Sequence, residues 1–273
     1  MKPLQNIAIL SNASQKGAEE AGLQLKQLAE DHGIRVKISE EFPVPDQFLD
    51  GMDACFVMGG DGTLLSLLEQ GVRYGVPVAG VRYGKLGFLA TFSPEDLEKQ
   101  MPQIFNGHYK VGTRSLLSYQ EKGGDTKLAL NDLVVKSGSN GRLARFSVFA
   151  DDEPVADYAC DGIVFSTPTG STAYSLSARG PVVSPTLEAM LLTPLAPHML
   201  FDRSLVLGPT ETIRIDVDGS RSVGLAIDGQ EVASLEGGES VTCSASDQPA
   251  LFVRMQPQRF HQILKAKFGL ADR

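Results

Sequence analysis

A carboxylate set among glycines is the residue best placed to do chemistry in this chain. Residues 54–65 read ACFVMGGDGTLL, an apolar run from Ala54 to Met58 entering Gly59-Gly60-Asp61-Gly62-Thr63 and then an apolar helix start. A strand, a glycine turn and a helix start together place backbone N–H groups where a phosphate can sit, and glycines let it approach the backbone closely. Asp61 is the odd member, because a carboxylate repels phosphate. Proton abstraction from a hydroxyl and the holding of a metal ion are its two natural uses. The plainer alternative is a turn residue that caps the helix from Thr63. A second segment, residues 161–185, reads DGIVFSTPTGSTAYSLSARGPVVSP. Its Ser and Thr side chains can cap a helix and also bond sugar or phosphate oxygens, and Tyr174 adds an aromatic face and a phenol. Asn131-Asp132 interrupts an apolar run between Leu128 and Val135. A buried Asn there needs hydrogen-bond partners, which an adenine edge or a ribose hydroxyl would supply; a bulge or turn is the alternative.

Together these segments resemble the NAD kinase family, which moves the terminal phosphoryl group of a nucleoside triphosphate to the adenosine ribose 2′-hydroxyl of NAD. Gly84-Lys85-Leu86-Gly87-Phe88-Leu89, Asn131-Asp132, Pro197-His198 and Asp228-Gly229-Gln230 follow in the family's order, so the resemblance runs from about Ile7 to about Val253. It implies that Asp61 is the catalytic base. It implies nucleotide contacts at Gly59, Gly60, Gly62, Phe88, Asn131, Asp132, Arg142, Asp161, Thr172, Ala173, Tyr174, Ser175, Ser177, Ala196 and Gln230. The substrates implied are NAD, with NADH as a further acceptor, and ATP or polyphosphate as donor. A divalent cation, Mg²⁺ by preference, would arrive with the nucleotide, and the assembly would be a homodimer or homotetramer. Two departures stand out: Asp132 replaces the usual Glu, and Arg179 gives Ser-Ala-Arg-Gly-Pro in place of Ser-Ala-Gly-Gly-Pro. Ala159 occupies a position where relatives carry arginine or a small residue according to their choice between NAD and NADH. Its small side chain implies that both are accepted. His198 has no nucleophile partner in its motif and is read as structural.

An apolar content of 42% and a charged content of 21% are ordinary for a soluble globular protein. The 273 residues carry a net charge of −8, which counts against nucleic acid or an anionic membrane surface as partner. Positive charge must therefore be concentrated locally, with Arg82, Lys85, Arg142, Arg145, Arg179 and Arg203 as candidates. Cys55, Cys160 and Cys243 lack metal-ligand spacing and read as small buried hydrophobes. The N-terminal apolar run is too short for a signal peptide and no stretch approaches a membrane span, so the expected compartment is the cytoplasm.

The elements that must position these residues change character along the chain. Up to about residue 93, strand-like runs (Ile7 to Leu10, Ile34 to Ile38, Ala54 to Met58, Val76 to Val81) alternate with helical repeats at Ala18–Ala29 and Thr63–Gln70. That alternation predicts an α/β N-terminal domain with a parallel sheet, whose ligands bind at the carboxyl ends of its strands. Beyond Ser93-Pro94, which starts a helix, Ile213–Val217, Val223–Ile227 and Val241–Ala245 alternate with a step of two. These predict a mainly antiparallel β C-terminal domain, interrupted by helices at about Ser171–Ala178 and Thr186–Leu192. A helix over Pro257 to Phe268 is expected to return to the first domain. The domains are therefore set at 1–93 joined by 255–273, and 94–254.

Two other classes share part of the pattern. Diacylglycerol and sphingosine lipid kinases carry a GGDG turn, but residues 167–177, TPTGSTAYSLS, follow the NAD kinase pattern. A non-catalytic NAD-binding sensor would keep the pocket without needing Asp61.

Overall fold

The first apolar run forms β1 (Asn6–Ser11), and the repeat after it forms α1 (Ala18–Asp31). Ala18, Ala21, Leu25 and Ala29 give α1 one buried face. Gly33, at φ +73°, ends it, with the Ile34 N–H donating to the Ala29 carbonyl. Next come β2 (Arg35–Ser39) and β3 (Ala54–Gly59), the latter buried along its whole length. The single helix expected over Thr63–Gln70 is two, α2 (Asp61–Leu65) and α3 (Leu68–Tyr74), and Asp61 is the first helical residue. β4 (Val78–Arg82) leads to α4 (Pro94–Phe105), where extended Ser93 is the N-cap and the Asp96 carboxylate accepts the Ser93 N–H at 2.7 Å. β5 (Lys110–Arg114) follows.

The chain then builds β6 (Leu117–Gln120), β7 (Thr126–Ala129), β8 (Asp132–Ser137), β9 (Ala144–Ala150), β10 (Glu153–Cys160) and β11 (Gly162–Ser166). A 3₁₀ turn at Gly170–Thr172 and the short α5 (Tyr174–Ser177) replace the continuous helix expected over Ser171–Ala178. β12 (Met190–Leu195), β13 (Leu205–Leu207), β14 (Ile213–Asp218), β15 (Val223–Ile227), β16 (Gln230–Leu235) and β17 (Ser240–Ala245) complete this part; β18 (Ala250–Arg254) and α6 (Phe260–Phe268) close the chain. The helix expected over Thr186–Leu192 is wrong. Met190–Leu195 is buried on both faces between β11 and β13, and a short apolar run of that kind carries no period to separate strand from helix.

This computed structural model describes residues 1–83, 87–90, 92–120, 126–138, 143–200, 202–219, 222–255 and 260–269. It divides into two units, residues 1–113 with 250–273, and residues 114–249. α4 lies in the first unit, where Met101 and Ile104 join the core of β1, β3 and α1. The first unit holds a six-stranded sheet in the order β2-β1-β3-β4-β18-β5, with β1 parallel to β2 and β3, and β4 parallel to β3 and β18. α6 belongs to this unit, its Phe260 and Phe268 rings lying 6.1 and 6.2 Å from that of Phe88. The second unit holds two antiparallel sheets, β10-β9-β14-β17-β6-β7 and β13-β12-β11-β8-β15-β16. Phe146, Val148 and Ile215 of the one pack against Val135, Phe165 and Leu225 of the other in a shared core.

Candidate functional site

β3 delivers the glycine turn to the carboxyl edge of the parallel sheet. Gly59 pairs in register with Arg82, and its carbonyl accepts the Tyr83 N–H at 3.3 Å. Gly59 is glycine for want of space, since a Cβ there would stand 2.6 Å from the Thr63 hydroxyl. That hydroxyl accepts the Asn12 side-chain amide at 3.1 Å, so the loop after β1 is tied to the turn. Gly60 and Gly62 have open space where a side chain would be, which leaves the backbone approachable from outside.

Asp61 is held by a segment distant in sequence. Its Oδ2 accepts the Phe88 N–H at 3.0 Å, and its Oδ1 accepts those of Leu89 and Ala90, both at 3.3 Å. A Cβ on Gly87 would overlap the carboxylate. Residues 59–63 and 87–90, two separate stretches of the sequence motif, thus meet at one carboxylate with a fixed orientation. The Phe88 ring packs on α6, with the Lys267 ammonium 4.5 Å from its centroid. Among the described residues no group of three or more His, Cys, Asp or Glu side chains could hold a metal ion. The donor set at Asp61 suits a divalent cation only as one carboxylate added to the donor's phosphates.

The second unit carries a pocket of about 600 Å³ on the outer face of its β8 sheet, a size that suits a nucleoside and its phosphates. Strand alternation builds it: Leu133 and Val135 face the core, whereas Asp132, Val134 and Lys136 line the pocket. Asn131, Ala173, Tyr174, Gly224, Ala226, Asp228 and Glu231 complete most of the wall. Residues 167–170 are clamped to its edge. The Thr167 hydroxyl donates to the Leu130 carbonyl at 2.6 Å, and the Thr167 N–H donates to that of Asn131 at 2.9 Å. Gly170 leaves room only for a hydrogen, since a Cβ there would overlap the Asn131 carbonyl.

Asp228, at φ +48°, turns its carboxylate onto three successive N–H groups, those of Leu130, Asn131 and Asp132, at 2.9, 2.7 and 3.1 Å. The buried Asp132 lies beside it and accepts the Tyr174 N–H. Burial, with the neighbouring charge of Asp228 adding to it, pushes the Asp132 carboxyl up to about 7. Burial also raises Asp228, against the pull of its three N–H partners.

Of the residues proposed from sequence, Asn131, Asp132, Ala173 and Tyr174 come together in this pocket. Asp161, Thr172, Ser175, Ser177, Ala196 and Gln230 do not line it. The Asp161 carbonyl accepts both the N–H and the hydroxyl of Ser137. Ser175 is buried, its hydroxyl 3.3 Å from that of Thr193. Ser177, Ala196 and Gln230 are exposed, Ala196 at φ +44°. Arg142 and Lys85 lie outside the described residues. Lys136, Gly224 and Glu231 were missed, and Asp228 was named only as part of the Asp228-Gly229-Gln230 motif. The alternation from Asp132 along β8 pointed to Lys136, but no local signal pointed to Asp228 as the residue that shapes the turn.

The matches to known proteins cover both units. The model of the ATP-NAD kinase N-terminal domain matches residues 7–109, and that of the ATP-NAD kinase C-terminal domain matches residues 130–255. The chain belongs to the NAD kinase family. The NAD kinase of Desulforamulus reducens is 37% identical over 220 residues, 79% of this chain and 76% of that protein. The NAD kinase of Moorella thermoacetica is 33% identical over 277 residues, 97% of this chain and 89% of that one. Among solved structures, yeast NADH kinase complexed with NADH superposes with a TM-score of 0.85 at 26% identity, over 100% of this chain and 90% of that one. An NAD kinase from Archaeoglobus fulgidus in complex with ATP shares the fold, with a TM-score of 0.80 at 24% identity, over 98% of this chain and 100% of that one. As in the resemblance read from sequence, this NAD kinase family chain joins a parallel α/β unit to antiparallel sheets. Among its described residues no helix is long and apolar enough to cross a membrane.

Proposed function

We infer that this chain is an NAD kinase, transferring the terminal phosphoryl group of ATP to the adenosine ribose 2′-hydroxyl of NAD. The observation that carries the site reading is Asp61, a carboxylate oriented by three backbone N–H groups inside a glycine turn. In this reading Gly59, Gly60 and Gly62 border the donor phosphates. Asp61 takes the proton as the hydroxyl oxygen bonds to the phosphorus and ADP leaves, help worth roughly 10²–10⁴-fold. A Mg²⁺ ion arriving with ATP would neutralise phosphate charge beside Asp61.

The pocket at Asn131, Asp132 and Tyr174 takes the adenosine part of NAD, with Tyr174 offering a ring face and Asn131 its amide. The remaining resemblance residues, among them Asp161, Thr172, Ser175, Ser177, Ala196, Gln230 and Arg142, are proposed contacts for the rest of the nucleotide. Three free, buried cysteines suit the reducing cytoplasm, and the resemblance implies a homodimer or homotetramer, which sedimentation measures directly. The deciding assay offers NAD, NADH and diacylglycerol as acceptors against ATP and polyphosphate as donors, with and without excess chelator. NADP formation that needs the divalent cation is the expected result. Phosphorylation of diacylglycerol alone would overturn the reading, and full activity in chelator would remove the metal from it.

A further inference from the structure

Lys136 lies in the pocket wall, and neither the family motifs nor the proposed contacts give it a task. Among the described residues it is the one cation that lines the pocket, whose wall otherwise includes the carboxyl groups of Asp132, Asp228 and Glu231. Its ammonium stands 3.5 Å from the Tyr174 hydroxyl and 6.0 Å from the centre of that ring. Among the described residues it forms no ion pair, although Glu231 lines the same pocket. A long, exposed lysine normally spreads over many rotamers; here the ring face and the phenol of Tyr174 lie within reach of its ammonium. The sheet fixes where it stands. Two strand steps separate it from Asp132 on the same face of β8, so their Cα atoms lie about 13 Å apart, and both line the cavity.

NAD, the occupant proposed for this pocket, is an anion at its phosphates, and the wall is otherwise unfavourable to one. The charge of Asp228 is met by three backbone N–H groups, but Glu231 presents an exposed carboxylate. We propose that Lys136 is a nucleotide-anchoring residue, its ammonium beside Tyr174 binding a phosphate group of the dinucleotide while the base lies against Tyr174. This rests on the reading of the pocket as the NAD site. An ammonium on a phosphate is a point-charge contact, strong at low ionic strength and screened by salt.

The test measures NAD binding to the full-length protein by calorimetry, together with the KM for ATP, for wild type, Lys136→Met, Lys136→Arg and Tyr174→Ala. Lys136→Met keeps the apolar stem on the ring and removes only the charge. It is expected to weaken NAD binding about tenfold at low salt and less than threefold at 0.5 M salt, with the KM for ATP within about twofold of wild type. Lys136→Arg is expected to restore most of the loss. Equal NAD affinity in wild type and Lys136→Met at low salt would overturn the proposal, as would a loss that salt leaves unchanged, the mark of a packing role. Tyr174→Ala separates the two readings. If it weakens NAD binding while Lys136→Met does not, the lysine assignment alone fails; if neither variant alters binding, the pocket is not the NAD site.

Discussion

The carboxyl group of Asp132 lies beside that of Asp228, and the backbone N–H of Asp132 donates to the same Asp228 at 3.1 Å. One residue thereby both shapes the turn that presents its neighbour and resists that neighbour's ionisation.

Stability should register this. Asp132 is raised to about 7 in the folded state, against about 4 for an unfolded Asp. The folded state therefore binds more protons between those values, and the contribution is present in full below about pH 4 and lost as pH rises through 7. Asp132→Asn, neutral at every pH, should be about as stable as wild type at pH 4 and more stable at pH 8, by about 2–4 kcal/mol. Thermal melts of both proteins at the two pH values check this; parallel curves would show that Asp132 titrates normally.

Asp61→Asn should cut turnover by at least ~10² while leaving NAD affinity largely intact. The structure adds a cost that the sequence did not reveal. An amide nitrogen would face the Phe88 N–H in place of Oδ2, so stability should also fall by about 1–2 kcal/mol. Measuring kcat, NAD affinity and melting temperature together separates the two effects, and near-wild-type turnover would take Asp61 out of the mechanism.

Arg179 occupies the C′ position of α5 at φ +65°, with its N–H donating to the Leu176 carbonyl and that of Gly180 to Ser175. Glycine adopts this left-handed conformation without a Cβ clash, whereas other residues pay about 1–2 kcal/mol. Arg179→Gly should raise stability by about 0.5–1 kcal/mol after the loss of unfolded-chain restriction is counted. A denaturation midpoint that falls instead would mean that the exposed guanidinium makes a compensating contact.

Ala159 carries the expectation that NADH is phosphorylated within roughly tenfold of NAD in kcat/KM, or about 1.4 kcal/mol. The fold places Arg145 directly opposite it on β9, while the Ala159 carbonyl accepts the His198 N–H at 2.8 Å. Comparing both acceptors in wild type, Ala159→Arg and Arg145→Ala decides the matter. A wild type that rejects NADH, with Arg145→Ala admitting it, would transfer the discrimination from the missing side chain to the neighbouring strand. No change on adding the arginine would also overturn the expectation.

Residues that are neighbours in sequence were legible before any coordinates. A glycine turn after an all-apolar strand, a Ser-Pro helix start and a step-of-two alternation are local patterns, and each dictates its conformation within a few residues; hence the parallel unit, the antiparallel unit and the returning helix. Asn131-Asp132 could be singled out as polar residues that interrupt an apolar run, and Tyr174 as the aromatic phenol in a loop of Ser and Thr. Where the local pattern was silent, the reading failed, as at Met190–Leu195, whose apolar run suits a buried strand and a buried helix equally.

Tertiary structure alone decided which side chains meet. Asp228 reaches Asn131 across 97 residues of chain, and Asp61 reaches Phe88 across 27. Contacts of that kind follow from strand order and register, which no neighbouring residue encodes. The same register turned Asp132, Val134 and Lys136 to one face and sent Leu133 and Val135 to the core, because successive residues of a strand point to opposite sides. The chemistry was written in residue types at short spacing; the pocket, its charge balance and the raised carboxyl at its base came from sheets that bring distant segments into a volume too dry to solvate them separately.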